Sequence, residues 1–446
     1  MSEWIERDLR CLWHPYTQMK DCQSRPPILI ESARGLKLYD AEGNFYYDTI
    51  SSWWCNVHGH GHPKIAEAIG EQVRCLDHVL SAGFTHKKAI VLAEKLLALA
   101  PANLARVFYS DNGSTAVETA LKMSVQHWHN TGLPKKTKFV SLDLAYHGDT
   151  CGAMSVGGRS VFTQAFESLL FDSFKVPTPY CYRCPMGLER GSCQIECAGA
   201  LEATLGEHGD EIAGVILEPL LMGAAGMIVY PAAYLERAAA LARRHNVHLI
   251  LDEVATGFGR TGKMFACEHA GVKPDFMCLS KGITGGTLPF AATLATEAVY
   301  ASFYDDYEKH KTLYHGHTYN ANPIGCAAAL ASLAIFEEER TLERIQGMAP
   351  GFRERLEQLG ALPHVGDVRT IGMVGALEIV QDKESKEPFP VSDRIGMRLF
   401  EEGLKRNLIL RPMGHVTYLF LPLSTTEAEL AEILEKFSET IEQTRL

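Results

Sequence analysis

Two strand-like runs end in residues that could do chemistry together. His248-Leu249-Ile250-Leu251 runs into Asp252-Glu253, and Phe276-Met277-Cys278-Leu279 runs into Ser280-Lys281 and then Gly282-Ile283-Thr284-Gly285-Gly286. Short apolar runs bounded by polar and glycine residues read as buried parallel strands. In an open α/β sheet, ligands sit beyond the carboxyl ends of the strands, where this Asp and this Lys fall. A lysine held away from water has a lowered pKa and is the amine that condenses with aldehydes. A buried aspartate is the counter-ion that a pyridinium nitrogen needs. The pair points to pyridoxal 5′-phosphate (PLP), with Lys281 on the aldehyde and Asp252 on the ring nitrogen. Taken singly, each residue has a plainer reading, as a solvated surface lysine or as a helix cap or turn. The weight rests on both lying at strand ends among glycines.

A PLP site also needs a phosphate cradle. Arg106-Val107-Phe108-Tyr109 reads as a strand, Ser110-Asp111-Asn112-Gly113-Ser114-Thr115 as a turn, and Ala116 to Trp128 as a helix. A helix N-terminus offers unpaired N–H groups and the positive end of its dipole, Gly113 allows close backbone approach, and Ser114 and Thr115 add hydroxyls. The plainer reading is an ordinary Ser/Thr cap. The strand Lys138 to Leu142 leads to Tyr146-His147-Gly148-Asp149-Thr150, which places an aromatic ring where it could stack on a flat cofactor. Ile212 to Glu218 is a further buried strand, and Ala232 to His245 is an amphipathic helix. Strand and helix alternate through this region, which predicts an α/β domain with a mainly parallel sheet. Gly257 and Gly259 lack G-x-G-x-x-G spacing and follow an acidic strand end, which disfavours a nicotinamide oxidoreductase.

The flanking segments look different. Ile28 to Asp48 reads as a small antiparallel meander. Ser51-Ser52-Trp53-Trp54 leads into a loop with His58, His60 and His62. Three alternating histidines without a neighbouring acid are a weak metal signal, because metal sites demand specific ligand geometry. His315 to Pro323 is a polar loop before a helix from Ile324 to Glu338. Beyond it the pattern predicts two helices over 340–360, strands over 372–379, 408–411 and 417–420, and helices near 394–405 and 425–442. The expected division is 1–60 as the N-terminal segment of a small domain, 61–336 as the large PLP-binding domain, and 337–446 as the C-terminal small domain.

Composition narrows the function classes. The chain has 446 residues, 46% hydrophobic and 22% charged, enough for a sizeable core. A net charge of −11 without a basic block argues against nucleic acid as a partner. No run approaches the ~20 apolar residues of a membrane span, and the charged N-terminus lacks a signal-peptide core, so the expected location is cytoplasmic. Of the twelve cysteines, four form a pattern, Cys181-x2-Cys184 and Cys193-x3-Cys197, in an insertion rich in Pro and Gly. Four thiolates at this spacing can close round a zinc ion or an iron–sulfur cluster; reduced thiols or disulfides are the plainer reading.

Taken together, Asp252 to Gly262, Lys281 with Gly285-Gly286, and Tyr146 to Thr150 resemble the class III PLP-dependent aminotransferases of fold type I. The resemblance covers essentially the whole chain. Trp13-His14-Pro15-Tyr16-Thr17 and Ser51 to Trp54 are similar to the biotin-synthesis branch of that class, and Arg411-Pro412 also fits. It implies transfer of an amino group from S-adenosylmethionine to 8-amino-7-oxononanoate, in two half-reactions, with lysine as the alternative donor. Another ω-aminotransferase substrate is the alternative. By the same resemblance Lys281, Asp252 and Tyr146 are catalytic, and Gly113, Ser114, Tyr146, Asp252, Lys281, His317 and Thr318 hold the cofactor. Tyr16, Trp53, Trp54, Gly316 and Arg411 contact substrate, with Asp149 and Tyr418 as further candidates and Glu218 as an acid near the ring. Thr318 would act across a homodimer whose active sites lie at the subunit interface. Met222 departs from the family pattern, where a glutamine commonly precedes the equivalent of Gly223.

Overall fold

In the computed structural model of the protein, which describes residues 2–445, the chain is built round a seven-stranded sheet. The strands in chain order are β1 (Ile30–Arg34), β2 (Lys37–Asp40), β3 (Phe45–Tyr47), β4 (Leu104–Ser110) and β5 (Lys138–Leu142). They continue as β6 (Phe174–Val176), β7 (Ile212–Leu217), β8 (Leu221–Met222), β9 (Ile228–Val229) and β10 (His248–Asp252). The last are β11 (Phe276–Leu279), β12 (Ala291–Thr296), β13 (Val365–Ile371), β14 (Val374–Ile379) and β15 (Val416–Phe420).

The central sheet has the order β4-β12-β11-β10-β7-β5-β6, and its pairings are parallel except where β12 meets β11 and β4. Both of its faces are covered. Ile250 joins the apolar cluster under helix Gly113–Asn130, while Leu249 and Leu251 join the cluster that contains Leu235 and Leu241 of helix Ala232–Arg244. Side chains of a strand alternate between faces, so a strand covered on both must be apolar throughout. That is why β7, β10 and β11 were legible in the sequence. The strand β12 was not: Ala-Ala-Thr-Leu-Ala-Thr carries little of the β-branched and aromatic signal, and Ala291 and Ala295 lie buried beneath helix Gly113–Asn130.

A second sheet, β13-β14-β15, is antiparallel and packs with helices Thr341–Leu359 and Ile395–Lys405. Two expectations fail in this region. The two helices expected over 340–360 are one helix, with Pro350 inside it. Ile345, Met348, Phe352, Leu356 and Leu359 form one buried stripe across the proline, and its burial outweighs the hydrogen bond that Pro350 cannot donate. Leu408 to Arg411 is not a strand; a single bridge joins Leu408 to Tyr47, and β13 is the strand that pairs with β14.

The N-terminal meander β1-β2-β3 is fastened to the C-terminal part of the chain. The Tyr47 N–H donates to the Asn407 carbonyl at 2.7 Å, and the Phe420 N–H donates to the Thr49 carbonyl at 2.7 Å. Then the backbone does something costly. Ser51, Ser52, Trp53 and Trp54 all have positive φ, between 46° and 78°, a left-handed turn without a glycine. Arg260, buried, clamps it. Its guanidinium donates to the carbonyls of Trp54, Asn56 and Leu421 and to the Ser51 hydroxyl. Burial lowers the Arg260 pKa to about 10, against the pull of Cys55 and Asp48.

Candidate active site

The parallel register explains how residues 29 apart in sequence meet (281 − 252 = 29). β10 and β11 are neighbours, with Asp252 opposite Cys278, so both chains leave the sheet at the same edge. Lys281 follows β11 by one intervening residue, in a short 3-10 turn at φ 44°. Such backbone strain in a lysine is held only where the surroundings over-determine it. β4, β5 and β7 end at this edge too, and deliver Gly113-Ser114, Tyr146 and Glu218. These residues line one cavity of about 440 Å³ together with Trp54, His147 and Phe290.

Asp252 is buried and doubly held. The His147 Nδ1 lies 2.8 Å from its Oδ2, and the Val254 N–H donates to its Oδ1 at 3.0 Å. The other ring nitrogen of His147 is buried without a partner among the described residues. Glu218 sits beside this pair, accepting from the N–H groups of Tyr146 and Gly223. Burial, and then the nearby charge of Asp252, push its carboxyl up to about 8. Burial likewise lowers the Lys281 pKa, against the pull of Asp252 and Glu218. The Lys281 Nζ lies 5.2 Å from the centre of the Trp54 ring.

At the other end of the cavity, helix Gly113–Asn130 begins with a capping box. Asn112 accepts from the Thr115 N–H, and the Thr115 hydroxyl accepts from the Asn112 N–H. The hydroxyl of Thr115 is thus engaged in the cap, while the N–H groups of Gly113 and Ser114 have no intrahelical partner. Ser114 Oγ accepts from the Asp149 N–H at 3.2 Å and still has a proton to donate. A Cβ on Gly113 would stand 2.6 Å from Val254 Cγ1, so the turn admits only glycine without movement.

The two tryptophans separate. Trp54 is buried, lines the cavity and donates from Nε1 to the Tyr418 hydroxyl at 3.1 Å. Tyr418 therefore supports Trp54 from behind and does not line the cavity. Trp53 is 37% exposed and packs edge-on against Tyr16, with the Arg411 guanidinium 4.8 Å from its ring centre. The Tyr16 hydroxyl donates to Asp149 at 2.7 Å, and the Tyr146 hydroxyl donates to the same carboxylate at 3.1 Å. Asp149 thus joins the outer aromatic group to the cavity wall. Gly316, His317 and Thr318 stay outside this cavity in the single chain, on a partly exposed loop.

No local pattern pointed to two of these contacts. The His147–Asp252 pair joins positions 105 apart, and Phe162 packs 5.9 Å from Tyr16 out of an apolar but exposed segment. The three-histidine loop does have acids, contrary to the sequence expectation. His60 pairs with Asp48 and His62 with Glu339, while His58 bonds Ser332, so the three rings go to three different partners. Cys181, Cys184, Cys193 and Cys197 line a separate small cavity. Among the described residues no group of three or more His, Cys, Asp or Glu side chains is already arranged to hold a metal ion, so the expected zinc or iron–sulfur ligand set is not preformed.

Residues 19–441 match the family described as aminotransferase class-III. An adenosylmethionine-8-amino-7-oxononanoate aminotransferase of Geobacter sulfurreducens is 47% identical over 99% of this chain and 97% of its own length. The protein of that name from Methanocaldococcus jannaschii is 44% identical over 100% of this chain and 98% of its own. The crystal structure of the latter superposes with a TM-score of 0.94, covering 99% of both chains at 43% identity. An ω-transaminase of Pseudomonas jessenii, solved in complex with PMP, superposes with a TM-score of 0.95 at 33% identity, over 99% of this chain and 98% of that one. A lysine and an aspartate meeting at the carboxyl edge of a mostly parallel sheet, matched from end to end by such relatives, leave one family: the chain belongs to the class-III aminotransferases.

Proposed function

We infer that this aminotransferase moves an amino group from S-adenosylmethionine to 8-amino-7-oxononanoate, giving 7,8-diaminononanoate. Relatives 43–47% identical over nearly the full chain carry that donor and that acceptor in their names. The observation in this chain that carries the chemistry is the convergence of Lys281 and Asp252 in one cavity with a helix N-terminus opposite.

The donor set fits PLP, the cofactor of class-III aminotransferases. When bound, PLP supplies a protonated pyridine ring that accepts the electron pair released as a Cα–H bond breaks. Asp252 keeps that ring nitrogen protonated, and His147 and the Val254 N–H keep Asp252 in place. The N–H groups of Gly113 and Ser114, with the Ser114 hydroxyl, hold the phosphate. Lys281 carries the proton: burial favours its neutral amine, which takes a proton at Nζ and returns it. Asp149 orients the Tyr16 and Tyr146 hydroxyls. Arg411, braced on Trp53 and on the Tyr16 carbonyl, presents a fork suited to a substrate carboxylate. Trp53 and Trp54 wall the space for an adenosyl group or an aliphatic chain. In a homodimer the exposed loop Gly316-His317-Thr318 would complete the partner's phosphate site. The small domain would be formed by residues 1–60 and 337–446 about the large domain 61–336.

The visible spectrum of the holoenzyme tests the reading. The yellow absorbance should bleach on adding S-adenosylmethionine and return with 8-amino-7-oxononanoate, and Lys281→Ala should do neither. Bleaching with lysine alone would replace the donor. Bleaching by neither amine would remove the assignment to this reaction.

A further inference from the structure

Between β6 and helix Ala198–His208 runs a strap, 177–197, that contains neither helix nor strand. Irregular stretches of this length within a compact domain are uncommon and need something to hold them. The strap has a mechanical task. Tyr180 and Arg183 both bond Glu378 on β14, and the Lys386 ammonium donates to the Tyr182 carbonyl at 2.7 Å. It ties the central sheet's domain to the C-terminal one. The backbone ladder that normally fixes such a connector is missing.

All four patterned cysteines of the strap border one cavity of about 20 Å³, closed on its far side by Pro231 and Tyr234. A space of that size holds one water-sized or ion-sized occupant. Tyr234 lines the same cavity, and its buried hydroxyl has no hydrogen-bond partner among the described residues. An orphaned buried hydroxyl is destabilising unless something polar meets it. The cavity shares no residue with the catalytic one, so the cofactor chemistry does not account for it.

We propose that Cys181, Cys184, Cys193 and Cys197 bind one zinc ion that staples the strap. The C-x2-C and C-x3-C halves lie at opposite ends of the strap, so one ion drawing them together closes the loop that no strand closes. In the structure the sulphurs border the cavity without forming a finished ligand set, so binding turns the four thiols inward. Each ligand gives up its proton to solvent as the Zn–S bond forms, with no change of oxidation state. The bound ion with its thiolates also provides an acceptor for the Tyr234 hydroxyl.

Metal analysis of holoenzyme, purified without chelator from zinc-supplemented cells, tests this. About one zinc per chain is expected, released when a mercurial titrates four thiols. Cys181→Ser/Cys197→Ser should lose the zinc, keep its PLP content, lower the melting temperature and become cleavable by protease within 177–197. Should that variant fail to fold, the wild-type stoichiometry and mercurial release decide alone. Less than about a tenth of an equivalent of zinc in the wild type, at a site where zinc-binding energies are normally large, overturns the proposal. So does iron in place of zinc, or a disulfide within the cluster found by mass spectrometry.

Discussion

Burial sets the protonation of Lys281 and Glu218 in the cavity more than any ion pair does. Lys281 is lowered chiefly by burial, and Glu218 is raised chiefly by it, with Asp252 adding repulsion. Glu218 has a direct consequence for stability. Its folded-state carboxyl lies at about 8, above its ordinary 4.5, so the folded protein holds a proton that the unfolded chain has released. That contribution is complete below pH 4.5 and is lost as pH rises to about 8. Glu253, buried and raised to about 7, slopes the same way. In cofactor-free protein, Glu218→Gln is therefore expected to flatten, without abolishing, the fall in urea midpoint across this window. The amide oxygen introduced by that change would still accept the Gly223 or Tyr146 N–H. Parallel profiles for variant and wild type would show that Glu218 titrates normally.

At the level of elements, the site is a set of strand ends whose turns leave little slack. Gly113 opens the helix proposed to hold the phosphate and abuts Val254, which follows the Asp252 strand. Gly113→Ala should force the two turns apart, costing roughly 1–3 kcal/mol as overpacking does. It should also weaken PLP binding, measured by dialysis against limiting cofactor. Gly113→Ala/Val254→Ala should recover most of both losses, because the second change removes the atoms that clash. A double variant as impaired as the single one would mean that Gly113 is needed for backbone conformation and not for room. The left-handed turn Ser51–Trp54 shows the same economy. Arg260 holds it through carbonyls from segments far apart in sequence, and the turn in turn sends Trp54 inward and Trp53 outward.

Across the whole molecule, a buried polar knot links the strap to the C-terminal sheet. Glu378 accepts from Tyr180, Arg183 and Arg369, and Arg369 also donates to the Gly226 carbonyl and forms an ion pair with Asp367. Removing one partner of a buried ion pair is costly because the other charge stays behind. Glu378→Gln leaves Arg369 with Asp367 alone, so a loss of about 3–5 kcal/mol in urea unfolding is expected. A loss below about 1 kcal/mol, the range of exposed pairs, would mean that water reaches the knot. The homodimer inferred for this enzyme is checked at the same scale by sedimentation velocity. A monomer would leave the Gly316–Thr318 loop without its proposed role.

How much of this was legible in the sequence varies by kind of residue. Lys281, Asp252, Gly113, Ser114 and Tyr146 could be found because each ends or begins an element whose apolar pattern is local, and doubly covered strands announce themselves as unbroken apolar runs. The small-residue strand β12, the unbroken helix across Pro350 and the loss of the expected strand at 408–411 could not. In each, packing against distant partners overrode the local signal. The pairings His147 with Asp252, Trp54 with Tyr418, and Asp149 with Tyr16 and Tyr146 were out of reach for another reason. The order of residues was enough to say which chemistry the strand ends could support. Which strand ends share an edge, and which polar atoms share a proton, came only with the packed chain, because sheet order and register are long-range choices that no local run of residues encodes.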